Sequence, residues 1–179
     1  MPKTCSDGAP RQAGRATLHG PTMGTRWSAT LDADATLDLQ ALQRDLADAV
    51  TALRARPEVQ GRGVGALGYC MGGRLAFVAA ATAGVDAAVA YYGGGIQDML
   101  DLAPQIRCPM QFHYGALDAN IPPSAVDKVR AAMAGKPAEV FVYAQADHGF
   151  NCWARKSYHA ASAALAHGRT LQFFAERLF

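Results

Sequence analysis

Val64-Gly65-Ala66-Leu67-Gly68-Tyr69-Cys70-Met71-Gly72-Gly73 reads as a short apolar strand that runs through a G-x-C-x-G-G turn into a helix. That is the arrangement of a nucleophile elbow, with cysteine where serine is more usual. The spacing has a steric reason. A nucleophile at a tight strand-to-helix turn sits on strained backbone, so its neighbours two positions away must lack bulk, and Gly68 and Gly72 meet that demand. A sulfur at the first turn of a helix over about 71–83 also meets the positive end of the helix dipole and N–H groups without an intrahelical acceptor, both of which stabilise negative charge. Cys70 is therefore the candidate nucleophile. The competing reading makes it a small buried apolar residue in an ordinary strand–helix loop.

Two later segments weigh against that competing reading. Asp118 lies in the loop Gly115-Ala116-Leu117-Asp118-Ala119-Asn120-Ile121-Pro122, just after the β-like run Met110–Tyr114. His148 lies in Ala146-Asp147-His148-Gly149-Phe150, just after the β-like run Glu139–Tyr143. Cys, Asp and His thus follow one another on three loops that each leave a predicted strand, which is the α/β-hydrolase order of nucleophile, acid and base. Loops at the carboxyl ends of parallel strands are where such a sheet assembles its site. Each residue keeps an ordinary alternative: Asp118 could cap the helix near Pro123, and His148 could be a surface loop histidine. His113 falls inside a strand pattern and is expected to be packed, whereas His159 and His167 are expected to be solvated on the last helix.

The same residues resemble the dienelactone hydrolase family, from about Val59 to the carboxyl terminus. The resemblance is carried by G-Y-C-M-G-G at 68–73, Y-Y-G-G at 91–94, G-x-x-D-x-x-I-P at 115–122, D-H-G-F at 147–150 and the stretch from Ser157-Tyr158 to Phe173-Phe174. It implies an α/β-hydrolase fold with a mostly parallel sheet and a Cys70, Asp118, His148 triad that opens a dienelactone or similar activated ester. It further implies one oxyanion donor at the Met71 N–H and substrate contacts from Tyr92, Phe150 and Arg155, with no metal or organic cofactor. Four residues after His148, where some relatives carry a substrate-binding arginine, this chain has Cys152, and Arg155 is near but not aligned.

The chain also departs from that family. Only 69 residues precede Cys70, where the family places several strands and the loop that supplies the second oxyanion donor, so the fold is expected to be amino-terminally truncated. Leu18-His19-Gly20-Pro21-Thr22-Met23-Gly24-Thr25-Arg26-Trp27-Ser28 instead resembles the opening of the flavin transferase family that attaches FMN to protein threonines, a likeness confined to about residues 18–50. The expected division is a flexible segment over 1–17, a strand and helix of separate character over 18–56, and the hydrolase domain over 57–179. Within the middle part, Thr25–Leu31 reads as a strand. Asp38–Arg56 reads as an amphipathic helix that packs beside the Val64 strand, with Leu39, Leu42, Leu46, Ala49, Val50 and Leu53 in its stripe and Pro57 ending it.

Composition bounds the remainder. With 179 residues, half of them apolar, the chain can bury a core of its own. Strands near 64–67, 87–92, 110–114 and 139–143 alternate with helices near 71–83, 123–134 and 157–178, the rhythm of a parallel sheet; the first three are apolar enough to be covered on both faces. The formal charge of +2 carries no basic block, so nucleic acid is not an expected partner. Cys5, Cys70, Cys108 and Cys152 have no zinc-type spacing and do not suggest a disulfide framework, and a free thiol suits a reducing cytoplasm. No run has the length of a signal peptide core or a membrane span. The expected partner is a small lactone or ester, with self-association through an open sheet edge as a second expectation. Two other classes stay open: a binding domain without turnover, and a thiol redox protein in which Cys70 meets Cys152.

Overall fold

The computed structural model describes residues 15–22, 25–32 and 38–179, with side chains from residue 38 onward; residues 1–14 of the segment expected to be flexible, and the Met23-Gly24 pair, lie outside them. β1 (Arg15–Thr22) and β2 (Thr25–Asp32) pair antiparallel as a two-stranded sheet with Thr22 opposite Thr25. The strand expected over Thr25–Leu31 is present. Its partner is not foreseeable from local pattern, because Gly20-Pro21 is unfavourable strand sequence.

Residues 40–179 form a separate compact unit around a four-stranded parallel sheet of order β3 (Gly65–Tyr69), β4 (Ala87–Tyr91), β5 (Met110–Gly115) and β6 (Ala138–Tyr143). The helices are α1 (Leu39–Arg54), α2 (Met71–Thr82), α3 (Pro123–Ala132) and α4 (Ala160–Leu178). Tyr69 pairs with Tyr91, Tyr91 with His113, and Gly115 with Tyr143, so the carboxyl ends of all four strands reach the same edge. That register gathers the candidate loops on one rim. Among the described residues no helix is long and apolar enough to cross a membrane.

β4 and β5 are buried along their whole length, as their apolar runs require. β3 corrects the sequence reading. Among the described residues it is paired with β4 alone, and Leu67 and Tyr69 are 44% and 39% exposed, so an apolar run here marks a half-covered edge strand. The stripe of α1 is likewise only partly covered: Val50 is buried, while Leu53 stays exposed. What holds the helix end beside the start of β3 is polar. Arg54 pairs with Asp86 at 2.6 Å, and the same carboxylate oxygen accepts the Val64 N–H at 2.7 Å.

His113 is fully enclosed, as its strand position predicts. Its Nδ1 lies 2.8 Å from the Tyr143 hydroxyl, and its Nε2 lies 3.2 Å from Gln111 Oε1 and 3.3 Å from Thr170 Oγ1. Burial first, and Arg169 second, push its pKa down to about 3. An unfolded histidine titrates near 6.5, so as pH falls the unfolded chain takes up this proton first and stability is lost between about 6.5 and 3. For this group alone the loss between pH 7 and pH 5 is about 2 kcal/mol. Urea unfolding at the two pH values measures it, and His113→Gln should flatten that dependence.

Tyr114 carries an opposite lesson, since its hydroxyl is enclosed with no partner among the described residues. An unpaired buried hydroxyl costs more than it contributes. Tyr114→Phe is therefore expected to raise stability by about 1 kcal/mol in the same assay. A lower stability would mean that the hydroxyl is paired in solution.

Candidate active site

Cys70 occupies the junction of β3 and α2 with φ 57° and ψ −117°. Left-handed φ is rare for a side chain of this kind, and the surroundings must hold it. The Cys70 N–H donates to Tyr91 O at 3.0 Å, and the Cys70 carbonyl accepts from the N–H groups of Gly73 and Arg74. A Cβ on Gly68 would run into the backbone of Gly72, as the elbow reading requires. Gly72 itself meets nothing, which corrects the symmetrical role given to it. The second close approach belongs to Gly73, where a Cβ would meet Tyr91 O at 2.6 Å and Gly93 at 3.1 Å. The motif thus needs glycine at 68 for the turn and at 73 so that the helix can sit against the end of β4.

Asp118 is placed by the loop after β5. Leu117 N–H donates to Ala146 O, Ala116 N–H to Tyr143 O, and a Cβ on Gly115 would strike Ala146, so this loop is sewn to the one that carries His148. The carboxylate is enclosed. Its Oδ1 accepts the Asn120 N–H at 2.9 Å, and its Oδ2 lies 2.7 Å from His148 Nδ1. Capping is not its task, because the residue before α3 is Pro122 with no side-chain cap.

His148 Nε2 lies 3.2 Å from Cys70 Sγ. An ionised carboxylate only accepts, so Asp118 fixes the proton of a neutral imidazole on Nδ1 and leaves the Nε2 lone pair facing the sulfur. Cys70, Asp118 and His148 are therefore brought into one hydrogen-bonded line from three loops. Cys70 and Met71 face solvent, and the Met71 N–H, in the first turn of α2, has no intrahelical acceptor.

The other expected site residues are placed unequally. Tyr92 has its ring centroid 5.1 Å from that of His148, and its backbone, at φ 36°, is left-handed. Phe150 is fully buried and meets Tyr92 edge-on at 5.4 Å, so it backs the site without reaching its surface. Arg155 is exposed, lies along Gly149, and is close enough to Tyr92 to act on its phenol electrostatically. Cys152 does the same, and Cys70, Cys108 and Cys152 are free thiols. His159 corrects the expectation of a solvated residue: it is half-buried and caps α4 by accepting the Ser162 N–H, whereas His167 is exposed as expected.

The left-handed backbone of Tyr92 escapes sequence reasoning. Tyr-Tyr-Gly-Gly at a strand end is the signal that was available, since glycines there mark a backbone under constraint. The polar chain beneath the site is less legible still. Tyr91 OH meets Thr170 Oγ1 at 2.7 Å, a contact between a strand and a helix 79 residues apart. Among the described residues no group of three or more His, Cys, Asp or Glu side chains is arranged to hold a metal ion.

Residues 22–178 match the family model described as the dienelactone hydrolase family. A carboxymethylenebutenolidase of Pseudomonas putida is 37% identical over 139 residues, which cover 77% of this chain and 58% of that protein. Carboxymethylenebutenolidase 1 of Cupriavidus pinatubonensis is 31% identical over 138 residues with the same two coverages. Among solved structures, a dienelactone hydrolase-like promiscuous phosphotriesterase from metagenomic libraries superposes with TM-score 0.69 at 26% identity, covering 79% of this chain and 64% of that one. The chain thus spans little more than half the length of these curated relatives. The match over most of its residues, with the parallel sheet and the elbow in their expected order, makes this chain a member of the dienelactone hydrolase family, with an α/β-hydrolase fold.

Proposed function

We propose that the chain hydrolyses an activated ester or lactone through Cys70, His148 and Asp118. The observation that carries this reading is the unbroken line from Asp118 Oδ2 to His148 at 2.7 Å and from His148 to Cys70 Sγ at 3.2 Å. Contacts of that length let a proton pass without a bridging water. His148 Nε2 takes the thiol proton as the sulfur attacks the carbonyl carbon, and the S–C bond forms while the carbonyl oxygen becomes an oxyanion against the Met71 N–H. Collapse of that intermediate breaks the C–O bond, and the departing alkoxide takes the proton from His148. Water, deprotonated at the same nitrogen, then splits the thioester to give the acid and free Cys70.

The substrate that best fits the relatives' name is a dienelactone bearing a carboxylate, with Arg155 as its counter-charge and Tyr92, backed by Phe150, as a wall. In this reading the chemistry resides in residues 57–179 and needs no cofactor, and the free thiol nucleophile suits a reducing cytoplasm. The half-covered edge of β3 is a surface on which a second copy could pair. Light scattering over a concentration series should then show a mass that rises with concentration. A constant monomer mass would remove that part.

The test of the reading is turnover of a chromogenic aryl ester alongside labelling by iodoacetamide. Turnover should fall in proportion to alkylation of Cys70. Full labelling of Cys70 in a protein that never turned over the ester would instead favour a binding or redox role.

A further inference from the structure

Among the described residues only two non-glycine residues have positive φ, Cys70 and Tyr92, and they follow the ends of neighbouring parallel strands. The first is explained by the elbow. For an aromatic residue such backbone costs on the order of 1–3 kcal/mol, and it persists only where the surroundings impose it. Here they do: the Tyr92 N–H donates to His113 O at 2.7 Å, its carbonyl accepts the Gly94 N–H at 3.0 Å, and its ring meets those of His148 and Phe150. What the strain achieves is the direction of the side chain. Tyr92 is only 3% exposed, yet its hydroxyl has no hydrogen-bond partner among the described residues and, unlike that of Tyr114, is not sealed off, so it ends where solvent or a ligand can reach it. Cys70 and Arg155 are both within electrostatic reach of that oxygen.

We infer that the Tyr92 hydroxyl is a catalytic hydrogen-bond donor that shares the substrate oxyanion with the Met71 N–H. The inference rests on the hydrolase reading and deepens it. Esterase sites of this type use more than one oxyanion donor, and a side-chain donor can act beside the Met71 N–H at the start of α2. A phenol can be the second, provided that it stays protonated. Burial, the largest influence, with Tyr69 and Cys152 after it, holds the Tyr92 proton more tightly than usual, while Arg155 opposes them weakly. As the sulfur attacks, the O–H lies beside the carbonyl oxygen and donates to it without transferring its proton. No other bond changes.

The test is the burst of p-nitrophenolate from p-nitrophenyl acetate in stopped flow, for the native chain and for Tyr92→Phe, with iodoacetamide alkylation of Cys70 measured in parallel. Phenylalanine keeps the ring against His148 and removes only the donor. The acylation rate constant should fall by about 10–100-fold with KM nearly unchanged. Alkylation forms no oxyanion, so its rate should stay within about twofold of native. Equal bursts in the two proteins would overturn the role of Tyr92 and leave the triad standing. Parallel losses in burst and alkylation would make Tyr92 a support for His148 and overturn the donor role. A native chain whose Cys70 alkylates but gives no burst would overturn the hydrolase reading and the donor role with it.

Discussion

Cys70→Ala is expected to abolish ester turnover, while Cys108→Ala and Cys152→Ala keep most of it. Among the described cysteines only Cys70 lies on an elbow with an imidazole nitrogen 3.2 Å from its sulfur. Cys108 is half-buried with its sulfur 3.9 Å from Ala80 O, away from the triad, and its thiol is pushed up by burial. Cys70→Ser is the finer probe. A hydroxyl is a far weaker acid than a thiol, so the same histidine must remove a more tightly held proton and the oxyanion site must contribute more. The expected loss is on the order of 100-fold or greater in kcat. Native turnover in Cys70→Ala would place the nucleophile elsewhere.

Asp118→Asn carries the second large effect. The carboxylate is enclosed and does two things, accepting the Asn120 N–H on one oxygen and the His148 Nδ1 proton on the other. An amide of the same shape can present its NH2 to Nδ1, which moves the ring proton to Nε2 and points it at the sulfur. The lone pair that should take the thiol proton is then lost. The expected fall in kcat is on the order of 1,000-fold or more, with the fold intact by circular dichroism. A loss of less than about tenfold would mean that Asp118 orients a loop and does not govern the imidazole.

The parts of this molecule that were legible in the sequence are those written in local pattern. Four β-like runs mark the four strands of the parallel sheet, and G-x-C-x-G-G, the Asp118 loop and the His148 loop follow three of them in the α/β-hydrolase order. Residues 70, 118 and 148 converge because parallel strands in register end on one edge. The exposed side of β3 was not legible, since an apolar run looks alike whether both faces are covered or one is left open. The distinct tasks of Gly72 and Gly73 depend on how closely α2 sits against the end of β4, which spacing does not encode. His159 at the start of α4 and the line from Tyr91 through Thr170 to His113 join residues brought together only by packing.

In the proposed mechanism Cys70 becomes acylated during turnover. The most direct measurement is to quench the native protein in acid during the burst with p-nitrophenyl acetate and to map the modified peptide by mass spectrometry. One acetyl group per chain is expected, on Cys70, released on return to neutral pH in native protein and retained far longer in Asp118→Asn. Turnover accompanied by an acetyl group on any other residue, or by none on Cys70 while product accumulates in a burst, would contradict it.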